Sequence, residues 1–197
     1  MIEDLLSTAA ASPWALAVMA ALVFGDALLV VLPGEVAVTA LGALAVSTGT
    51  PPLALVIVVA AAAAFAGDAC GYLIGRRVGT DRWRWMQRPR VAAAFSWAAR
   101  RLERSAAAVV FTARFIPFAR IAVTVTAGAT RVPPRRFLGM CAVAATGWAA
   151  YQALIGAAVA LILPGGPLVA VLVSIGVALV VGFAVDAVLT RRARARP

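Results

Sequence analysis

The sequence predicts an all-α polytopic membrane protein. Its core is two inverted repeats, each a re-entrant helical hairpin plus a transmembrane helix, and an additional transmembrane helix stands at the C-terminal end. Three observations lead there. Of 197 residues, 63% are hydrophobic and 13% charged, with a mean hydropathy of +0.97. Several apolar stretches approach or exceed the roughly 20 residues a helix needs to cross a bilayer core. The two halves of the chain also carry the same signals in the same order.

The apolar segments run over 14–32, 34–47, 53–75, 105–130, 137–163 and 166–189. Two stretches are interrupted. Pro33-Gly34-Glu35 breaks 14–47, and Pro117 breaks 105–130, which also holds Arg114 and Arg120. These two are expected to be hairpins that enter the membrane and turn back, while 53–75, 137–163 and 166–189 span it. No polar linker is long enough to separate two domains, so residues 1–197 form one membrane domain. It divides into a first repeat (14–79), an Arg-rich loop (80–104), a second repeat (105–163) and the last helix.

The repeat shows as ordered correspondence rather than identity. Leu32-Pro33 followed by Val36-Ala37-Val38-Thr39 matches Ile116-Pro117 followed by Ile121-Ala122-Val123-Thr124. A proline pair follows each, Pro51-Pro52 and Pro133-Pro134, and each next helix holds Leu-Ile-Gly, at 73–75 and 154–156. Such internal repeats, with broken helices meeting near the midplane, are a transporter architecture.

Charge sets the expected orientation. The formal charge is +10, and all 18 basic residues are Arg. Nine fall in 76–104, three in 131–136 and four in 191–196. Positively charged loops stay in the cytoplasm. A segment 105–130 that turns back at Pro117 keeps the first two clusters on one side. A turn at Pro164-Gly165-Gly166-Pro167 then returns the tail to that side. The aromatic-basic run Trp83–Arg90 reads as an interfacial loop meeting anionic phospholipids, not as a nucleic-acid surface.

Chemistry concentrates in few residues. Arg114 and Arg120 flank Phe115-Ile116-Pro117-Phe118-Ala119 inside an apolar segment. On insertion scales each buried Arg costs about 2.5–3.5 kcal/mol, so each needs a partner. A guanidinium presents a planar fork of donors that suits phosphate or carboxylate. One reading is a phosphate headgroup site; the other is a structural ion pair with Asp26, Glu35 or Asp68. Those three acids are themselves candidates for proton coupling or ion pairing. Gly67, Gly71, Gly75 and Gly79 recur every four residues and read as a helix-packing stripe, not a nucleotide fingerprint.

Other classes are disfavoured. The chain has no His, so no Ser–His pair and no His-based acid, and it is not expected to be an enzyme. Cys70 and Cys141 have no metal-site spacing; no metal and no cofactor are expected. Glu3 and Asp4, without a basic start, do not read as a signal peptide.

Leu32-Pro33-Gly34-Glu35, Gly42-Ala43-Leu44-Ala45 and the stretch Gly67-Asp68-Ala69-Cys70-Gly71-Tyr72 through Gly79 resemble the first half of DedA proteins, also called VTT-domain or SNARE-associated-type proteins. Arg114-Phe115-Ile116-Pro117, Arg120, Ala127-Gly128, Pro134-Arg135-Arg136-Phe137 and Gly147-Trp148 resemble the second half. The likeness covers about residues 20–160. It implies a bacterial inner-membrane protein with two facing re-entrant hairpins. It also implies an embedded acidic pair at Asp26 and Glu35 and an essential arginine pair at Arg114 and Arg120. Asp26 stands where a Glu is frequent in the family. The resemblance further implies a flippase-like lipid transporter, linked to protons, for undecaprenyl phosphate or a similar phosphate-headed lipid. A phospholipid scramblase, a proton-coupled small-ion transporter and a non-transporting envelope-assembly factor are the alternatives. The sequence neither requires nor excludes a homo-oligomer.

Overall fold

The computed structural model describes residues 12–29, 32–79, 113–114 and 119–162, with single positions 110, 169, 173 and 176. The Arg-rich loop 80–104, the bend at Pro117, the turn at 164–167 and the tail lie outside the described residues. So does most of the last helix, 166–189.

Five helices make up the described part: α1 (Pro13–Leu29), α2 (Gly34–Ser47), α3 (Leu53–Val78), α4 (Ala119–Ala129) and α5 (Pro134–Ile162). No strand occurs among the described residues. Prolines set most of the starts. Pro33 and Pro52 are the residues before α2 and α3, and Pro134 opens α5, the helical position where a missing N–H costs nothing. α4 ends in a Schellman motif: the N–H of Val132 donates to Ala127 O and that of Arg131 to Gly128 O, both at 3.0 Å. Arg131 takes the left-handed position at φ 57°, where glycine is usual.

Length separates two classes of helix. α3 has 26 residues and α5 has 29, ~39 and ~43 Å at 1.5 Å per residue, and both are apolar enough to cross a membrane. α2 has 14 residues and α4 has 11, ~21 and ~17 Å, short of a hydrocarbon core of about 30 Å. Only 28% of the apolar window of α3 is buried within the protein, and Val58, Leu73, Val143 and Leu161 are exposed. In water that surface would be a liability; against lipid it costs nothing.

The packing is reciprocal. α2 lies most extensively on α5, and α4 on α3. Glycines permit the approach at both crossings. A Cβ at Gly42 would stand 2.9 Å from Ala153 Cα, and one at Gly156 would meet Thr39 O and Ala43 N. Across the other crossing, a Cβ at Gly128 would meet Tyr72 O and Arg76 N, and one at Gly75 would meet Val125 O. The expected stripe takes part at three of its four positions: Gly67 faces Ala27 and Phe24 of α1, while Gly71 and Gly75 face α4. Gly79 does not pack against the described residues. It follows the end of α3 at φ 67°, with open space where a side chain would stand; the i+4 spacing runs on past the end of the helix.

Two apolar clusters form. One joins Met19, Val23, Val38, Val56, Ala64, Trp148 and Ala153; the other joins Tyr72, Ala127, Val132, Phe137 and Cys141. The early part of α3 shares a cluster with the later part of α5, and the reverse, so these two helices run antiparallel. Tyr72 stacks on Phe137 with centroids 5.4 Å apart and donates its hydroxyl to Val132 O at 2.6 Å. Asp68 lies on α3 between the two clusters.

Candidate functional site

The charged residues singled out in the sequence meet in the interior. Asp68 comes from the middle of α3, Asp26 from the last turns of α1, Glu35 from the first turn of α2 and Arg120 from the first turn of α4. Gly34 draws α2 onto α1: a Cβ there would stand 3.1 Å from Val23 Cα and 3.3 Å from Asp26 Cβ. That contact places Glu35 beside Asp26. Gly67 likewise lets α3 approach α1 at Ala27, next to Asp26 on one side and Asp68 on the other.

Two ion pairs result. Arg114 Nη1 donates to Asp68 Oδ2 at 2.7 Å, and both side chains are 2% exposed. Arg120 Nη2 donates to Asp26 Oδ2 at 3.0 Å, with exposures of 13% and 18%. Of the three acids offered as partners by the sequence, Arg114 takes Asp68 and Arg120 takes Asp26. Glu35 forms neither pair, though it lies within electrostatic reach of Asp26 and Arg120 and interacts with the side chain of Trp148.

Trp148, at the midpoint of α5 and 4% exposed, is the contributor that sequence reasoning missed. Its ring lies 5.7 Å from Arg114 Cζ, a cation–π distance. The indole N–H is the donor it can offer Glu35. One side chain thus stands over the buried Arg and within reach of the third acid. The available signal was a Trp in the middle of a long apolar helix, far from the interfaces where Trp is usual.

The pair Arg114–Asp68 is incompletely satisfied. Among the described residues, Arg114 Nε and Nη2, and Asp68 Oδ1, are buried without a hydrogen-bond partner. Each such group costs about 1–3 kcal/mol. Nε and Nη2 form one edge of the guanidinium, the geometry that grips an oxyanion with two parallel bonds. Arg114 also lines a narrow cleft with Asp68, Arg120, Thr124, Phe137 and Cys141 among others, whose water-accessible space of about 10 Å³ holds roughly one water. Thr124 Oγ1 donates to Ile121 O at 3.1 Å, so its proton is already committed.

Comparison with known proteins agrees with this architecture. The VTT domain family matches residues 32–158, more than half the chain. An uncharacterized membrane protein of Synechocystis sp. is 34% identical over 126 residues, covering 60% of this chain and 55% of that protein. The chain therefore spans about half the length of this curated relative. No solved structure matches. The family match takes in Glu35, Asp68, Arg114, Arg120 and Trp148, and the chain belongs to the DedA family of VTT-domain membrane proteins.

Proposed function

We propose that the protein is a transporter that carries a phosphate-headed lipid across the membrane, undecaprenyl phosphate or a close relative, in a proton-linked manner. The observation that carries this reading is buried Arg114, whose Nε/Nη2 edge has no partner among the described residues and which lines a narrow cleft together with Arg120. A buried donor pair without acceptors is costly unless a ligand supplies them. Arg114 and Arg120 bind the phosphate, while the lipid tail stays in the bilayer. Asp26 and Asp68 hold the arginines when the site is empty, and Glu35 takes up and releases the proton. No covalent chemistry is assigned to the site.

The transport architecture follows the same line. α1–α2 and the segment ending in α4 are the two re-entrant hairpins of an inverted repeat. The short lengths of α2 and α4, the antiparallel run of α3 and α5 and the reciprocal glycine contacts support it. The Arg-rich loop and the C-terminus face the cytoplasm of a bacterial inner membrane, with the loop against anionic phospholipid.

The test is flipping of polyprenyl phosphate in proteoliposomes, with and without a proton gradient, beside common phospholipids. Polyprenyl phosphate should flip, faster with the gradient, and Arg114→Lys should remove most of the activity while still inserting, because Lys keeps the charge but lacks the fork. Flipping of all phospholipids alike without a gradient would make the protein a scramblase. Full activity in a folded Arg114→Lys variant would remove the arginine site from the mechanism.

A further inference from the structure

The cleft beside Arg114 has room for roughly one water, so a headgroup enters it only if a wall gives way. Asp68 of α3, Thr124 of α4 and both Phe137 and Cys141 of α5 stand in those walls. The helices are joined in two different ways. α3 and α4 meet backbone to backbone: a Cβ at Gly75 would strike Val125 O, and one at Gly128 would strike Tyr72 O. Such a seam has nothing that can swing. α3 and α5 meet at this end through side chains. Tyr72 and Phe137, 1% and 0% exposed, stack with ring centroids 5.4 Å apart. The Tyr72 hydroxyl donates to Val132 O at 2.6 Å and accepts from Arg76 Nη1 at 3.0 Å. One turn inward from the stack, Asp68 on α3 and Cys141 on α5 line the cleft. One turn outward on α3 stands Arg76, and Arg135 and Arg136 lie in the first turn of α5, all three exposed. The stack therefore separates the cleft from a rim of exposed arginines.

We propose that the Tyr72–Phe137 stack is the movable closure between the cleft and that arginine rim, and that it opens when the Tyr72 hydroxyl leaves Val132 O and Arg76 and the ring turns away from Phe137. The inference deepens the transport reading above, and rests on it for the reason the cleft must open. Turning one aromatic side chain breaks two hydrogen bonds and a ring contact but leaves the helix backbones in place. Parting α3 from α4 would instead undo a whole seam. Arg76 is exposed, so solvent answers its guanidinium once the hydroxyl has left.

Cys141, 0% exposed and lining the cleft, is the reporter. The chain has two cysteines, so Cys70→Ser leaves Cys141 as its single thiol. The experiment follows the rate at which a positively charged methanethiosulfonate labels Cys141 in the purified full chain in detergent. Labelling of this single-thiol protein should be slow. Tyr72→Phe keeps the ring but drops both hydroxyl ties, and should speed labelling about tenfold. Arg76→Ala removes the outer tie alone and should speed it about threefold. Cys70, labelled in Cys141→Ser protein, should keep its rate in both variants. Unchanged Cys141 labelling in the folded variants overturns the closure. Labelling of the single-thiol protein as fast as that of a free thiol overturns it too. So does an equal rise at Cys70, which would mean that the whole bundle has loosened. If Tyr72→Phe does not fold, the exposed position Arg76 decides alone. Flipping of polyprenyl phosphate by the unaltered protein is measured beside these rates. No flipping, with Cys141 still responding to Tyr72→Phe, ends the transport reading and leaves the closure standing.

Discussion

Arg114–Asp68 and Arg120–Asp26 are the same chemical pair in two settings. The two arginines stand six positions apart in the chain, yet the first pair is sealed and the second has water or headgroup access at its edge. A sealed pair has no solvent to fall back on, so its loss is felt by the whole fold, and its unused atoms remain a standing cost. A pair with access is cheap to open. The contrast suggests a division of labour: Arg114 is the fixed anchor of the site, and Arg120 the arm that can exchange Asp26 for a ligand.

The largest expected effect tests the sealed pair. Arg114→Ala or Asp68→Ala alone should cost about 3–5 kcal/mol by leaving a buried charge, and the double variant should recover much of it. Thermal unfolding of the four proteins in one detergent measures this; simply additive losses would dissolve the pairing. Next comes the link between the pair and Glu35. Trp148→Phe keeps the ring over Arg114 but loses the indole N–H, with an expected loss of about 1–3 kcal/mol. A double-mutant cycle with Glu35→Gln should show coupling, and its absence would leave Trp148 as packing alone.

Smaller still is the accessible pair. Arg120→Ala should reduce stability by less than Arg114→Ala does, because its pair keeps 13% and 18% of its side-chain surface accessible where the Arg114 pair keeps 2%. A loss as large as that of Arg114→Ala would cancel the distinction between anchor and arm. Arg131→Gly, remote from both pairs, relieves a left-handed backbone at the end of α4. It should raise stability by up to about 1 kcal/mol, which sets the floor against which the other shifts are read; a clear loss would show that the Arg131 side chain holds a contact of its own.

Much of this arrangement was legible in the chain because its signals are local. Pro33-Gly34 predicts the break before α2, the two proline pairs predict the starts of α3 and α5, and the apolar range 34–47 coincides with α2. Burial of the charged residues followed from their apolar surroundings. Partner choice did not. Arg114 and Asp68 are 46 residues apart, Arg120 and Asp26 are 94 apart, and three acids offered the same charge. Packing decides between them, through the approaches at Gly34 and Gly67, and no periodicity reports on that. Trp148 escaped for a related reason: a Trp reads as a large apolar side chain until its ring is seen against the charge of Arg114. Gly79 misled in the opposite direction, since a regular spacing carries no mark of where the helix carrying it ends.

The crossed packing of α2 on α5 and α4 on α3 also bears on how the protein is made. Each short helix finds its main support in the other half of the chain, and Asp26 has no arginine until position 120 has been synthesised. At about 5–20 residues per second, the first half waits several seconds in the membrane with its acids unanswered and its glycine faces uncovered. The nascent chain must spend that interval either shielded by the insertion machinery or with Asp26 and Glu35 still in contact with water. A ribosome stalled before α4 would leave a fragment that is anchored by α3 but in which α2 lacks its main support on α5, a ready substrate for membrane proteases.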